Sequence, residues 1–301
     1  MSTEEENSSI VNKTLLSIAM IIIVIVIFLN VYLWKKEIEP ESESTSMEEI
    51  REDESEKSSG LRGNIEEPEV KYPVPEEIKL PVETTGSGED DETIQEQPVI
   101  EKKPLPVLDE SDPSIRESLV GILSPKKLDE LFIINSFIRH FVVTIDNMTG
   151  KKLPQRYVFT RKPAGKFMVI KQDEEDSIWL DERNFDRYSP FVALANILDT
   201  RQFVTLYVRY YSLFQQAYQD LGYPGRHFND RLVEVIDNIL ATPAITGPIQ
   251  LKRPKVFYTF ADPQLERLSA GQKILIRIGP ENAEKVKAKL GELKKQLINL
   301  Q

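Results

Sequence analysis

A mainly helical globular domain with a minor antiparallel β element, preceded by one transmembrane helix and a disordered tether, is the fold class this sequence predicts. Three observations predict it. An uncharged apolar run occupies Thr14–Trp34. An acidic stretch rich in proline and poor in apolar residues follows over 35–104. From 105 to 301, apolar side chains recur mostly at helical spacing, with one interval of short β-type runs. Residues 1–13 form a tail ahead of the apolar run.

The run TLLSIAMIIIVIVIFLNVYLW has the length a span needs, since about 20 helical residues cross a hydrocarbon core of ~30 Å. It is too long for a secretory leader and has no small-residue cleavage site behind it. Tyr32 and Trp34 suit the headgroup level, and Lys35 and Lys36 can snorkel outward. The sequence therefore predicts an uncleaved anchor at Thr14–Trp34, with the membrane as its partner. The positive-inside count favours a cytoplasmic C-terminal side by about one charge.

The tether holds 22 acids against 7 bases between Glu37 and Lys103. Such a chain buries too little apolar surface to offset its ordering entropy, and self-repulsion extends it. It reads as a spacer or as an acidic arm for a basic partner. The remainder, Pro104–Gln301, holds 24 acids and 28 bases, so the acidity behind the chain's net charge of −11 belongs to the tether and the domain is mildly basic. That mild basicity marks no nucleic-acid surface, and no nucleic acid is expected as a partner. The absence of cysteine excludes disulfides, thiol catalysis and cysteine-held metals.

Within the domain, Asp112–Pro113 reads as an N-cap followed by a first-turn proline. Residues 124–150 read as one helical stretch closed by Gly150. YVFTRK, KFMVIKQ and SIWLD read as short strands. Helices are predicted over 185–198, 200–221 and about 227–241, and 249–260 reads as extended. The segment DPQLERLSAGQKILIRIG fits a helix, although Ile274–Ile278 alternates as a strand would. Pro280 opens a last helix with Val286, Leu290, Leu293 and Leu297 along one stripe.

Few residues invite chemistry. Tyr207, Tyr211 and Tyr218 lie on one aromatic helix and fit either core packing or a peptide groove. Tyr223, Arg226 and His227 belong to a turn and helix start, where His227 fits a cap or an anion contact but reads first as an ordinary helix start without function. His140 reads as a packed or surface histidine, because no second ligand stands at metal spacing. Asp230, Glu234 and Asp237 share a helix face and fit either acid–base work or a solvated surface. No phosphate loop, nucleophile elbow, dinucleotide glycine motif or zinc spacing is present. No catalytic residue, metal site or cofactor is assigned.

Three blocks carry a resemblance: LPVLDESDPSIRESL at 105–119, DLGYPGRHFNDRLVEVIDNILATP at 220–243, and RPKVFYTFADPQLERLSAGQKILIRIGPENAEKVKAKL at 253–290. Together they resemble the bacterial domain-of-unknown-function family 3014. The resemblance implies a single N-terminal span, a proline-rich tether and this domain, in the inner membrane of Gram-negative bacteria, with no assigned activity. It implies a periplasmic domain, against the small charge bias; the cytoplasmic placement stays the alternative. The expected function is a non-catalytic, tethered interaction or scaffold module with a protein partner. The alternative is an envelope hydrolase or ligand-binding domain using the charged turn–helix at 226–237.

Overall fold

The computed structural model describes residues 69–75, 104–120, 123–157, 159–172, 177–197 and 200–300. The predicted anchor and most of the predicted tether lie outside them. Nine α-helices and a four-stranded antiparallel sheet occur among the described residues. The helices are α1 Asp112–Val120, α2 Pro125–Leu131, α3 Phe137–Asn147, α4 Ser189–Ile197, α5 Thr200–Asp220, α6 Phe228–Leu240, α7 Pro263–Glu266, α8 Ala270–Arg277 and α9 Pro280–Leu297. The strands are β1 Val169–Gln172, β2 Ser177–Leu180, β3 Gln250–Lys252 and β4 Thr259–Phe260, in the order β1-β2-β3-β4.

The longest helices bury the stripes their sequences encode. Val286, Leu290, Leu293 and Leu297 of α9 are buried, and α9 packs on α4, α5 and α6. Phe137 and Phe141 of α3 meet Phe159, Phe214 and Phe228 in an aromatic core with centroid spacings of 5.2–6.4 Å. A smaller core under the sheet joins Leu180, Leu251, Phe260 and Ile276. Helix α8 serves both, because Ile274 and Leu275 face the helical core while Ile276 faces the sheet. A full capping box, Ser269 with Gln272, starts α8 and fixes 270–277 as helix rather than strand.

Three local expectations are corrected. The stretch 124–150 is two helices. Phe132 is extended and bridges Thr160, and Ser136 takes a left-handed conformation with φ 45°. The new helix start is satisfied from a distance: Asp112 accepts from the backbone N–H of Ser136 at 2.6 Å and of Phe137 at 2.9 Å. Asp112 thus caps α3, while itself being the first residue of α1. Among the described residues YVFTRK supplies only that isolated bridge and no strand of the sheet. The helix expected from Phe185 begins as a 3₁₀ segment, Glu182–Tyr188, capped by Asp181.

The fourth finding concerns the predicted tether. Residues 69–75 lie against the domain, with Tyr72 and Val74 packed on the helical core. A solvated chain was expected because acidic, proline-rich composition dominates the window. Tyr72 and Val74 are a local exception that averaging hides.

Candidate functional site

The turn–helix singled out by the sequence is built by Gln215. Its Nε2 donates to the Arg226 carbonyl at 2.8 Å, and its Oε1 accepts from the Phe228 N–H at 2.8 Å and the Tyr211 hydroxyl at 3.1 Å. Helix α6 is therefore started by a side chain from α5. His227 occupies the N-cap position without a side-chain capping bond. Arg226 is exposed and lies over the Tyr223 ring at 5.7 Å.

The nine candidate residues do not form one pocket. Tyr207 and Tyr218 are buried in the core, and Tyr211 is half-buried. Burial raises the Tyr207 hydroxyl well above its ordinary value and pushes Tyr211 and Tyr218 up to about 12. They remain neutral at physiological pH, and the Tyr207 and Tyr211 hydroxyls donate hydrogen bonds. Tyr218 stacks on Tyr223 at 4.8 Å, and the Tyr223 hydroxyl donates to Asp146 at 3.3 Å. Arg231 donates to the same carboxylate at 2.9 Å and to Thr149 at 2.7 Å, and it pairs with Glu234 at 2.9 Å. Asp237 lies outward and pairs with Lys294.

Asp230 has a different task. Its Oδ2 accepts from the backbone N–H of Lys71 at 3.1 Å, and its Oδ1 from that of Tyr72 at 2.9 Å. Beside it, fully buried Asn229 donates to the Tyr72 carbonyl at 2.9 Å and to the Leu297 carbonyl at 3.3 Å, and accepts from the Tyr207 hydroxyl at 3.2 Å. So Tyr207 and Asp230 do converge with Asn229, but the chain itself fills the place. Acid–base work needs carboxylates converging in a partly desolvated pocket. Here Asp230, Glu234 and Asp237 each serve a separate partner. Among the described residues no group of three or more His, Asp or Glu is placed to hold a metal ion.

His140 is half-buried and packs edge-on against Tyr157 at 5.6 Å. Its Nδ1 is buried without a hydrogen-bond partner. Burial lowers its pKa, opposed by the charge on Asp112.

A cleft of about 940 Å³ lies elsewhere, among β1–β2, the 242–249 loop and the α8–α9 corner. Its apolar lining includes Trp179, Leu180, Ile245, Ile249 and Leu275. Charged residues of both signs also line it, Arg183 and Lys287 with Glu182 and Glu284. Lys287 Nζ donates to the Thr242 carbonyl and ties the loop to α9. Gly279 forms the corner with φ 90°, and a Cβ there would lie 2.5 Å from the Phe185 ring. Asp181 is buried on another wall, and hydrogen bonds from Arg183 hold its carboxyl below the usual carboxylate range. Asn184, fully buried, donates to the carbonyls of Met168 and Asp181, at 2.7 Å each, and fixes that wall.

Sequence reasoning missed this cleft, and also Asn229, Gln215 and Asp146. Two signals pointed toward it: Trp179 is the only tryptophan after Trp34, and TPAITGPI places two prolines and a glycine in eight residues.

The family described as Protein of unknown function (DUF3014) has a model that matches residues 137–294, more than half of the chain, and the chain belongs to that family. The matched stretch contains the cleft and the turn–helix, and lies beyond the block at 105–119. Comparison with curated proteins and with solved structures gives no match.

Proposed function

We propose that this chain is a single-pass, membrane-tethered interaction module that holds a segment of a protein partner in the cleft beside Trp179. The cleft carries the reading. Its volume is in the range of about 300–1,000 Å³ that ligand sites occupy, and its lining combines apolar side chains with charged groups of both signs. Edge strand β1, which pairs only with β2 among the described residues, borders it and leaves backbone groups for an added strand. Ile170 of β1 lines the cleft and is 48% exposed, an apolar cost that a bound segment would remove.

Thr14–Trp34 anchors the chain in the inner membrane of a Gram-negative cell, with the domain in the periplasm; the count of flanking lysines supports the cytoplasmic alternative. Among the described residues no helix is long and apolar enough to cross a membrane, and the anchor reading rests on the length and composition of Thr14–Trp34 alone. A C-terminal topology reporter decides between the two sides.

The cleft is tested by placing a photo-crosslinking amino acid in the full chain in cells, at Ile170 or, as a control, at exposed Lys126 of α2. The expected result is one discrete adduct from position 170 and none from position 126. Identical patterns from both positions would remove the cleft from the account.

A further inference from the structure

The segment at 69–75 stands more than 150 residues from the groups that hold it. All three hydrogen bonds it makes there engage its backbone: two consecutive N–H groups on the two oxygens of Asp230, and the Tyr72 carbonyl on Asn229. Asn229 is fully buried and is held by Tyr207 and by the carbonyl of Leu297. Pro73 and Pro75 lack an N–H and keep the backbone extended, while Tyr72 and Val74 supply apolar contact.

The geometry points to an extended-peptide site at Asn229–Asp230 whose ligand is the chain's own residues 69–75, acting as a latch that sets the reach of the domain. This rests on the reading above that Thr14–Trp34 is the anchor. Residues 35–68, 34 in number, separate anchor and latch. At a limit of ~3.6 Å per residue they span at most about 120 Å. With the latch open, residues 35–104 carry the lead, and the limit rises to about 250 Å. Closing the latch halves the distance over which the cleft can find its partner. It also delivers any pull from the membrane to the start of α6 and the end of α9, rather than to residue 105.

Limited trypsin digestion of the full chain in lipid vesicles tests the latch. The Lys71–Tyr72 bond is a trypsin site, and a docked backbone cannot enter the protease. Asp230→Ala removes a charged acceptor of two N–H groups and should speed cleavage at Lys71 about tenfold or more. Asp237→Ala, on the same helix but paired with Lys294, should leave it unchanged. Equal cleavage in wild type and Asp230→Ala, with unfolding midpoints that agree, would overturn the latch. Should Asp230→Ala unfold, Tyr72→Ala, which leaves α6 intact, serves in its place with the same expected gain and the same overturning result. Vesicle flotation in the same samples isolates the premise: protection at Lys71 without flotation removes the anchor and with it the halved reach, whereas flotation without protection removes the latch.

Discussion

At Asn229 a single buried amide joins α5, α6, the end of α9 and the segment at 69–75. A residue of this kind is invisible to periodicity, because it sits on the apolar face of α6 among Phe228, Leu232 and Val233. Asp230, one position on, was legible as a candidate, but its work is to receive backbone N–H groups. His140 gives a prediction at the same scale. Its pKa is lowered in the folded state, chiefly by burial, so between the folded value and the unfolded value of about 6.5 the unfolded chain binds the extra proton. Its neutral form favours folding above that window, and this stability is lost as pH falls from about 6.5 through the folded value. His140→Phe keeps a ring against Tyr157 and removes the orphaned nitrogen. Denaturant midpoints at pH 7.5 and pH 5.0 should therefore differ less in the variant than in wild type. An equal acid loss in both would place the titration elsewhere.

Among the elements, α5, α6 and α9 followed their sequences to within about two residues, because each presents a long apolar stripe that packing only confirms. The region from 124 to 150 did not. Its apolar spacing continues through Phe132 and Ile133, yet the chain breaks there, because backbone pairing with 159–161 competes with the helix and Asp112 satisfies the restart. That competition is tertiary, and no local window contains it. Asp112→Ala should cost about 1–2 kcal/mol, the value of an N-cap carboxylate, measured by equilibrium unfolding. A loss within error of zero would show that the cap on α3 is idle. The sheet was legible as extended runs at KFMVIKQ, SIWLD and 249–260, but its order was not, since β2 and β3 lie 70 residues apart. The cleft was illegible for the same reason: its walls come from 170–172, 179–185, 242–249 and 275–287 and meet only on packing.

For the whole molecule, the arrangement is a matched family domain, residues 137–294, with a cleft beside Trp179 and the upstream residues 69–75 fastened at Asn229–Asp230. The function proposed here needs the domain to act beside a bilayer, and that need rests on Thr14–Trp34 remaining in the mature chain as a membrane span. Alkaline carbonate extraction of membranes from cells that express the full chain tests it most directly. The account predicts that the chain stays in the membrane pellet, and that deleting Thr14–Trp34 moves it to the supernatant. Recovery of the intact full-length chain in the carbonate wash would contradict it.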